Sequence, residues 1–227
     1  MKRRAVLFDM DGTLVDSEGL HFEAMTAVVE GFGQAVPEGF AERITGMTIG
    51  DCHRLLVEAT GFPLPFDDFV ARKNALYIER APGLALRPGA PAGLDLVRAS
   101  GAAMAIVSNS DRMLVDANLR AAGLQVPGLV SVARNDVRFG KPRPEPYLRA
   151  AWLLGVDPSD CIVVEDSVPG ARAGLAAGMT VIGWPEPHRG DLVFPPEALA
   201  ADPGDLAATL RPLLSSPFKS PSVPRIV

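Results

Sequence analysis

Cysteine is scarce. Cys52 and Cys161 are the only two in 227 residues, they lie far apart, and they form no CxxC pair. Two reduced, buried thiols in a cytoplasmic protein are therefore expected. Positive charge is also in deficit: 22 Lys and Arg against 27 Asp and Glu leave a net charge of -5, which is no footprint for nucleic acid. The global field cannot attract a small anion, so any such ligand needs a local positive site. No stretch approaches the ~18 apolar residues of a membrane span. The run behind Met1-Lys2-Arg3-Arg4 covers only Ala5 to Phe8 before Asp9 stops it, too short for the apolar region of a signal peptide. Internal repeats and low-complexity blocks are missing too. The expectation is a cytoplasmic monomer with no nucleic-acid or membrane partner.

What is present suits an α/β protein. The hydrophobic fraction, 48%, is sufficient for a sizeable core. The length fits one domain, or a core of ~150 residues with a smaller insertion. Three short apolar runs each end in polar residues. Ala5-Val6-Leu7-Phe8 meets Asp9, Ala105-Ile106-Val107 meets Ser108-Asn109-Ser110, and Ile162-Val163-Val164 meets Glu165-Asp166. Continuous Val- and Ile-rich runs of this length predict strands buried on both faces, as in a parallel sheet. Helical patterns over 111–122, 144–154 and 168–177 separate the later runs, and Thr180-Val181-Ile182 supplies a further strand. The alternation predicts a Rossmann-like, doubly wound parallel sheet. In such sheets ligands bind beyond the carboxyl ends of the strands, which gathers Asp9, Ser108 and Glu165-Asp166 at one crevice.

Residues 18–86 break the alternation. Helices are expected over 18–32, 49–60 and 66–80, joined by turns at Gly33, Pro37, Gly61 and Pro63. This predicts an inserted all-helical cap domain over 17–87, an α/β core over 1–16 and 88–214, and a flexible tail over 215–227 rich in Pro and Ser.

The most specific signal is Phe8-Asp9-Met10-Asp11-Gly12-Thr13-Leu14. Two carboxylates one residue apart leave a strand end and enter a turn where Gly12 permits an unusual backbone. Here the chain resembles the haloacid dehalogenase-like hydrolase superfamily, in its β-phosphoglucomutase and phosphoglycolate-phosphatase branch with a helical cap. The resemblance implies that Asp9 is the nucleophile, forming an aspartyl-phosphate. It implies that Asp11 is the general acid/base, protonating the leaving alkoxide and then drawing a proton from water.

Three later motifs fall in the family's order. Ser108, with Asn109, matches the phosphate-binding hydroxyl motif; taken alone, a serine ahead of a helix would simply cap it. Lys141, in Gly140-Lys141-Pro142-Arg143-Pro144-Glu145-Pro146-Tyr147, matches the lysine that pairs with the nucleophile and the transferring phosphoryl group. Glu165-Asp166 match the acidic metal motif. The resemblance implies Mg²⁺ held by Asp9, by the backbone carbonyl of Asp11 and by Asp166, with Glu165 behind or acting through water. Electrostatics ask for a cation independently. Like charges 4 Å apart cost about 4 kcal/mol at an effective dielectric of 20, and one lysine cannot offset four carboxylates and a phosphate. A hard divalent ion with oxygen ligands can.

In the cap, the resemblance implies substrate contacts from Glu18, His21, Thr48 and Lys73, the last within Arg72-Lys73-Asn74 and followed by Tyr77. The mutase branch carries a lysine and an arginine where Thr45 and Ile49 stand, and those cations grip a distal phosphate. Neutral side chains cannot replace that charge. The expected activity is therefore hydrolysis of a small phosphate ester, a sugar phosphate or phosphorylated acid. Mutase chemistry is the alternative, and a catalytically silent binding module is an alternative of another class. Asp11 argues against dehalogenation, and the phosphonate-hydrolase pattern is not seen.

Overall fold

The computed structural model describes residues 3–44, 47–190 and 192–215. They form two compact units. One comprises the residues up to Leu14, Leu86–Arg112 and those from Val126 on; the other comprises Val15–Ala85 and Met113–Gln125.

The first unit is built on a six-stranded sheet in the order β3-β2-β1-β4-β5-β6. Its strands are β1 (Ala5–Phe8), β2 (Ala103–Val107), β3 (Val130–Val132), β4 (Cys161–Glu165), β5 (Thr180–Gly183) and β6 (Leu199–Ala200). Every pairing is parallel. β1 and β4 are buried along their whole length, which is why they read as unbroken apolar runs. Helices α5 (Ala90–Ser100), α7 (Glu145–Leu154), α8 (Val168–Ala176) and α9 (Leu206–Ser215) complete this unit. One core cluster joins Leu7, Ala105, Val107, Val163 and Val181 to Tyr147, Ala150 and Ala151 of α7 and Ala171 and Ala173 of α8. Leu7 and Phe8 are completely buried, and each such side chain contributes about 1.5–3 kcal/mol.

Register positions the chemistry. Phe8 lies beside Ile106 on one side and Val164 on the other. The next residues along these strands therefore leave the same edge of the sheet. The strand order reverses at β1, with β2 and β4 as its two neighbours, and a crevice opens at such a point in doubly wound sheets.

The second unit is helical, with no strand among its described residues. It contains α1 (Glu18–Glu30), α2 (Phe40–Ile44), α3 (Ile49–Thr60), α4 (Phe66–Arg80) and most of α6 (Arg112–Ala121). Its core comprises Met25, Val28, Val29, Phe40, Leu56, Phe62, Leu64 and Phe69. The stretch Met113–Gln125, expected from sequence to belong with 88–214, groups here instead. Leu114 and Ala117 pack with Ala24, Tyr77 and Ala81, and the Tyr77 hydroxyl donates to Asn118 Oδ1 at 2.9 Å. The expected tail begins at the last residue of α9, and its residues 216–227 lie outside the described residues.

Candidate active site

Asp9 follows β1, and its backbone N–H donates to Val164 O at 2.9 Å, extending the sheet by one residue. The residue is 7% exposed, and its Oδ1 accepts a hydrogen bond from the Lys141 ammonium. Lys141 Nζ donates also to Val107 O at 2.8 Å and to Glu165 Oε1 at 2.6 Å. All three ammonium donors are thus used. Burial pushes Asp9 up to about 7, Lys141 pulls it down, and Glu165 and Asp11 add to the rise. Burial opposes the Lys141 charge, yet Asp9 and Glu165 outweigh it and hold the ammonium above the ordinary lysine value.

Glu165, fully buried at the end of β4, collects four donors. Oε1 accepts from Lys141 and from the Tyr147 hydroxyl, both at 2.6 Å. Oε2 accepts from Ser167 Oγ at 2.9 Å and Ser167 N at 3.3 Å.

Asp11 sits across a turn in which Gly12 takes a φ of 72°, the left-handed conformation that glycine tolerates. Its Oδ2 accepts from Ser108 Oγ at 3.0 Å and from Ser110 Oγ at 2.8 Å. Ser108 follows β2, is 2% exposed, and also receives Ser110 N at 2.9 Å. The same turn sends Thr13 Oγ1 to Asp166 Oδ1 at 2.7 Å. Motifs one, two and four are therefore linked through side chains alone.

One ligand oxygen each from Asp9, Glu165 and Asp166 lies within 4.8 Å of the others, the arrangement that could hold a metal ion. Four carboxylates were expected to converge. Among the described residues the group contains three, and the Asp11 carboxylate is turned to Ser108 and Ser110. The donor set still fits a hard cation. All donors are oxygens, and two buried carboxylates share a single lysine, so the site is short of positive charge.

The Asn109 side chain reaches the backbone of Lys141. Its Oδ1 accepts from Lys141 N at 2.8 Å and its Nδ2 donates to Lys141 O at 3.1 Å, so the side chain holds the lysine's backbone. Several residues were not foreseen. Ser110, Tyr147 and Ser167 fall inside the motif windows but carry no signature of their own. Arg87, a buried cation, gives none. Its guanidinium lies 3.8 Å from the Trp184 ring and donates to Gly12 O at 2.8 Å and Trp184 O at 2.9 Å, tying the Asp11 turn to the segment after β5.

In the helical unit, His21 and Lys73 come together. Lys73 is 5% exposed, its Nζ is 2.7 Å from His21 Nδ1, and the His21 ring stacks on Tyr77 at 4.3 Å. Glu18 opens α1 one turn before His21. Thr48 serves its own helix. It caps α3, accepting from Asp51 N at 3.2 Å and donating to Asp51 Oδ2 at 2.7 Å.

The first unit is thus a doubly wound α/β fold with a lysine-paired aspartate at the end of its first strand and further acids at the end of β4, where ligands of such sheets bind. Residues 3–178 match the haloacid dehalogenase-like hydrolase family, and the chain belongs to it. It is 33% identical over 182 residues to Hexitol phosphatase A of Escherichia coli, covering 80% of this chain and 83% of that one. It is 32% identical over 179 residues to a phosphorylated carbohydrates phosphatase of Thermotoga maritima, covering 77% and 82%. Among solved structures, CbbY from Rhodobacter sphaeroides in complex with phosphate superposes with a TM-score of 0.79 at 25% identity, covering 90% of this chain and 96% of that one. A single-residue mutant of the same protein in complex with xylulose-(1,5)bisphosphate gives 0.78 over the same shares.

Proposed function

We propose that the chain is a Mg²⁺-dependent phosphomonoester hydrolase acting on a small phosphorylated metabolite, a sugar phosphate or phosphorylated acid. The observation that carries this reading is the buried Asp9–Lys141 pair with Asp166 in ligand reach. An Asp9 oxygen attacks phosphorus, the bond to the leaving oxygen breaks, and Asp11 gives that oxygen its proton. Asp11 then takes a proton from water, whose oxygen attacks the aspartyl-phosphate, releasing phosphate and restoring the Asp9 carboxylate. Ser108 and Lys141 neutralise and orient the phosphoryl oxygens. Asp9, Asp166 and the Asp11 carbonyl would hold Mg²⁺, which supplies charge neutralisation to those oxygens when bound.

The helical unit is read as the cap, with His21, Lys73 and Glu18 as its substrate contacts. The sugar-phosphatase relatives and the sugar bisphosphate held by the CbbY neighbour support a phosphorylated sugar or sugar alcohol. The mutase alternative draws support from the His21–Lys73 pair. It is opposed by the neutral Ile49 at the start of α3; Thr45, the other position of that argument, lies outside the described residues. A monomeric, cytoplasmic enzyme completes the reading. Cys52 and Cys161 are free and buried, and no helix among the described residues is long and apolar enough to cross a membrane.

Hydrolysis of p-nitrophenyl phosphate is expected to require Mg²⁺ and to vanish in Asp9→Asn. Full activity in EDTA or in that variant rejects the mechanism. Efficient conversion of β-glucose 1-phosphate to the 6-phosphate with bisphosphate primer would instead establish the mutase.

A further inference from the structure

One buried hydroxyl has no part in the reaction above. Tyr147 lies on α7, has no exposed surface, and donates to Glu165 Oε1 at 2.6 Å. Lys141 donates to that same oxygen at 2.6 Å. With Ser167 on Oε2, four donors meet the roughly four acceptor positions of a carboxylate. Glu165 is therefore occupied as a holder of the lysine. Lys141 is equally occupied, by Asp9, Val107 O and Glu165. Its place between two buried carboxylates is a balance of two attractions.

We propose that Tyr147 is a positioning residue for Lys141: its hydroxyl shares the Glu165 oxygen with the ammonium and keeps the ammonium from being drawn off Asp9. The inference rests on the phosphatase reading. Charge-assisted hydrogen bonds in a dry interior are strong and influence one another. A donor on Oε1 lessens the demand of Glu165 on Lys141. Without it, Glu165 is a buried charge whose Oε1 has one donor, and the ammonium shifts towards it. The nucleophile and the arriving phosphoryl group then lose part of their counter-charge. Burial, with Glu165 and Asp9 close by, holds the phenol well above its usual titration, so it stays a donor. The ring does separate work. It packs in the apolar cluster around β1 and β2, and Lys141 Nζ stands 5.0 Å from its centroid. Tyr147→Phe keeps both contacts and removes the hydroxyl alone.

The test is a double-mutant cycle with wild type, Tyr147→Phe, Glu165→Gln and the double variant, assayed on p-nitrophenyl phosphate in Mg²⁺. Tyr147→Phe is expected to lower kcat about tenfold with little change in KM, the size of a hydrogen bond to a charged group. The loss should largely disappear in the Glu165→Gln background. Melting of the four metal-free proteins gives a second readout, in which Tyr147→Phe lowers Tm more beside Glu165 than beside glutamine. Equal losses in both backgrounds, or an unchanged kcat, overturn the inference. If Glu165→Gln does not fold, the kcat of Tyr147→Phe decides alone. A wild-type protein inert towards phosphomonoesters sinks the phosphatase reading and this inference together. An active wild type with additive variants sinks this inference only.

Discussion

Asn109 grips the backbone of Lys141 from both sides, accepting its N–H at 2.8 Å and donating to its carbonyl at 3.1 Å across 32 residues of sequence. The loop after β2 and the loop carrying the lysine are therefore tied to each other by two hydrogen bonds. Asn109→Ala removes both bonds. At about 0.5–1.5 kcal/mol each, it should cost about 1–3 kcal/mol in urea denaturation. Turnover should fall more than substrate affinity, because the lost element places Lys141. A variant with weakened KM and unaltered kcat and stability would instead make the Asn109 side chain a direct phosphate contact.

The burial of Asp9 has a pH consequence. Asp9 is pushed up to about 7, chiefly by burial, against an ordinary value of 3.8. Between those values the unfolded chain has released this proton while the folded, metal-free protein keeps it. Stability in EDTA should therefore fall as pH rises from about 4 to about 7, then level. Asp9→Asn should flatten that slope. Mg²⁺ competes with the same proton, so its affinity should climb through about pH 7 with proton release, as calorimetry in buffers of different ionisation enthalpy can read. A pH-independent affinity between about pH 5 and about pH 8 contradicts this account.

The thiols make a prediction away from the site. Burial raises Cys52 to about 11 and Cys161 to about 12, with Asp51 adding to the first and Asp160 to the second. Their residues are 6% and 1% exposed. Both should resist a disulfide reagent at about pH 8 in the folded protein and react fully in denaturant, because the thiolate is the attacking species. Rapid labelling of either in the native state would show that its surroundings open.

Most of the sheet and the four motifs were legible because their signals are local. β1, β2, β4 and β5 are continuous apolar runs, and the acids and hydroxyls directly follow β1, β2 and β4. β3 has only three residues behind a Pro-Gly turn, and β6 only two, too few for any pattern. Pro212 inside α9 disguises that helix, whereas Pro91 stands in the first turn of α5, where proline is an ordinary start signal. The support of the site was hidden for another reason. Tyr147 finds Glu165 18 residues away, and Ser110 finds Asp11 99 residues away. Such pairings follow from the sheet order rather than from any nearby spacing. The grouping of α6 with the helical unit likewise depends on what Leu114 and Ala117 meet.

Gly170 supplies the most discriminating substitution. It lies inside α8, where alanine ordinarily stabilises a helix over glycine by about 1 kcal/mol. A Cβ at this position would stand 1.8 Å from Glu165 Oε1 and 1.9 Å from its Cδ. The carboxylate cannot swing aside cheaply, since Lys141, Tyr147 and Ser167 hold both its oxygens. Gly170→Ala should therefore reverse the helix preference, lowering Tm despite the better helix former. It should also displace Glu165 from Lys141, and kcat should fall about tenfold or more, the scale of a lost charge-assisted hydrogen bond. Gly174→Ala in the same helix is the control. Its Cβ would meet Val181 and Val163 side chains at 2.8 and 3.2 Å, so it strains the core without touching the site. A Gly170→Ala protein whose kcat falls no more than that of Gly174→Ala would show that the glycine serves packing alone.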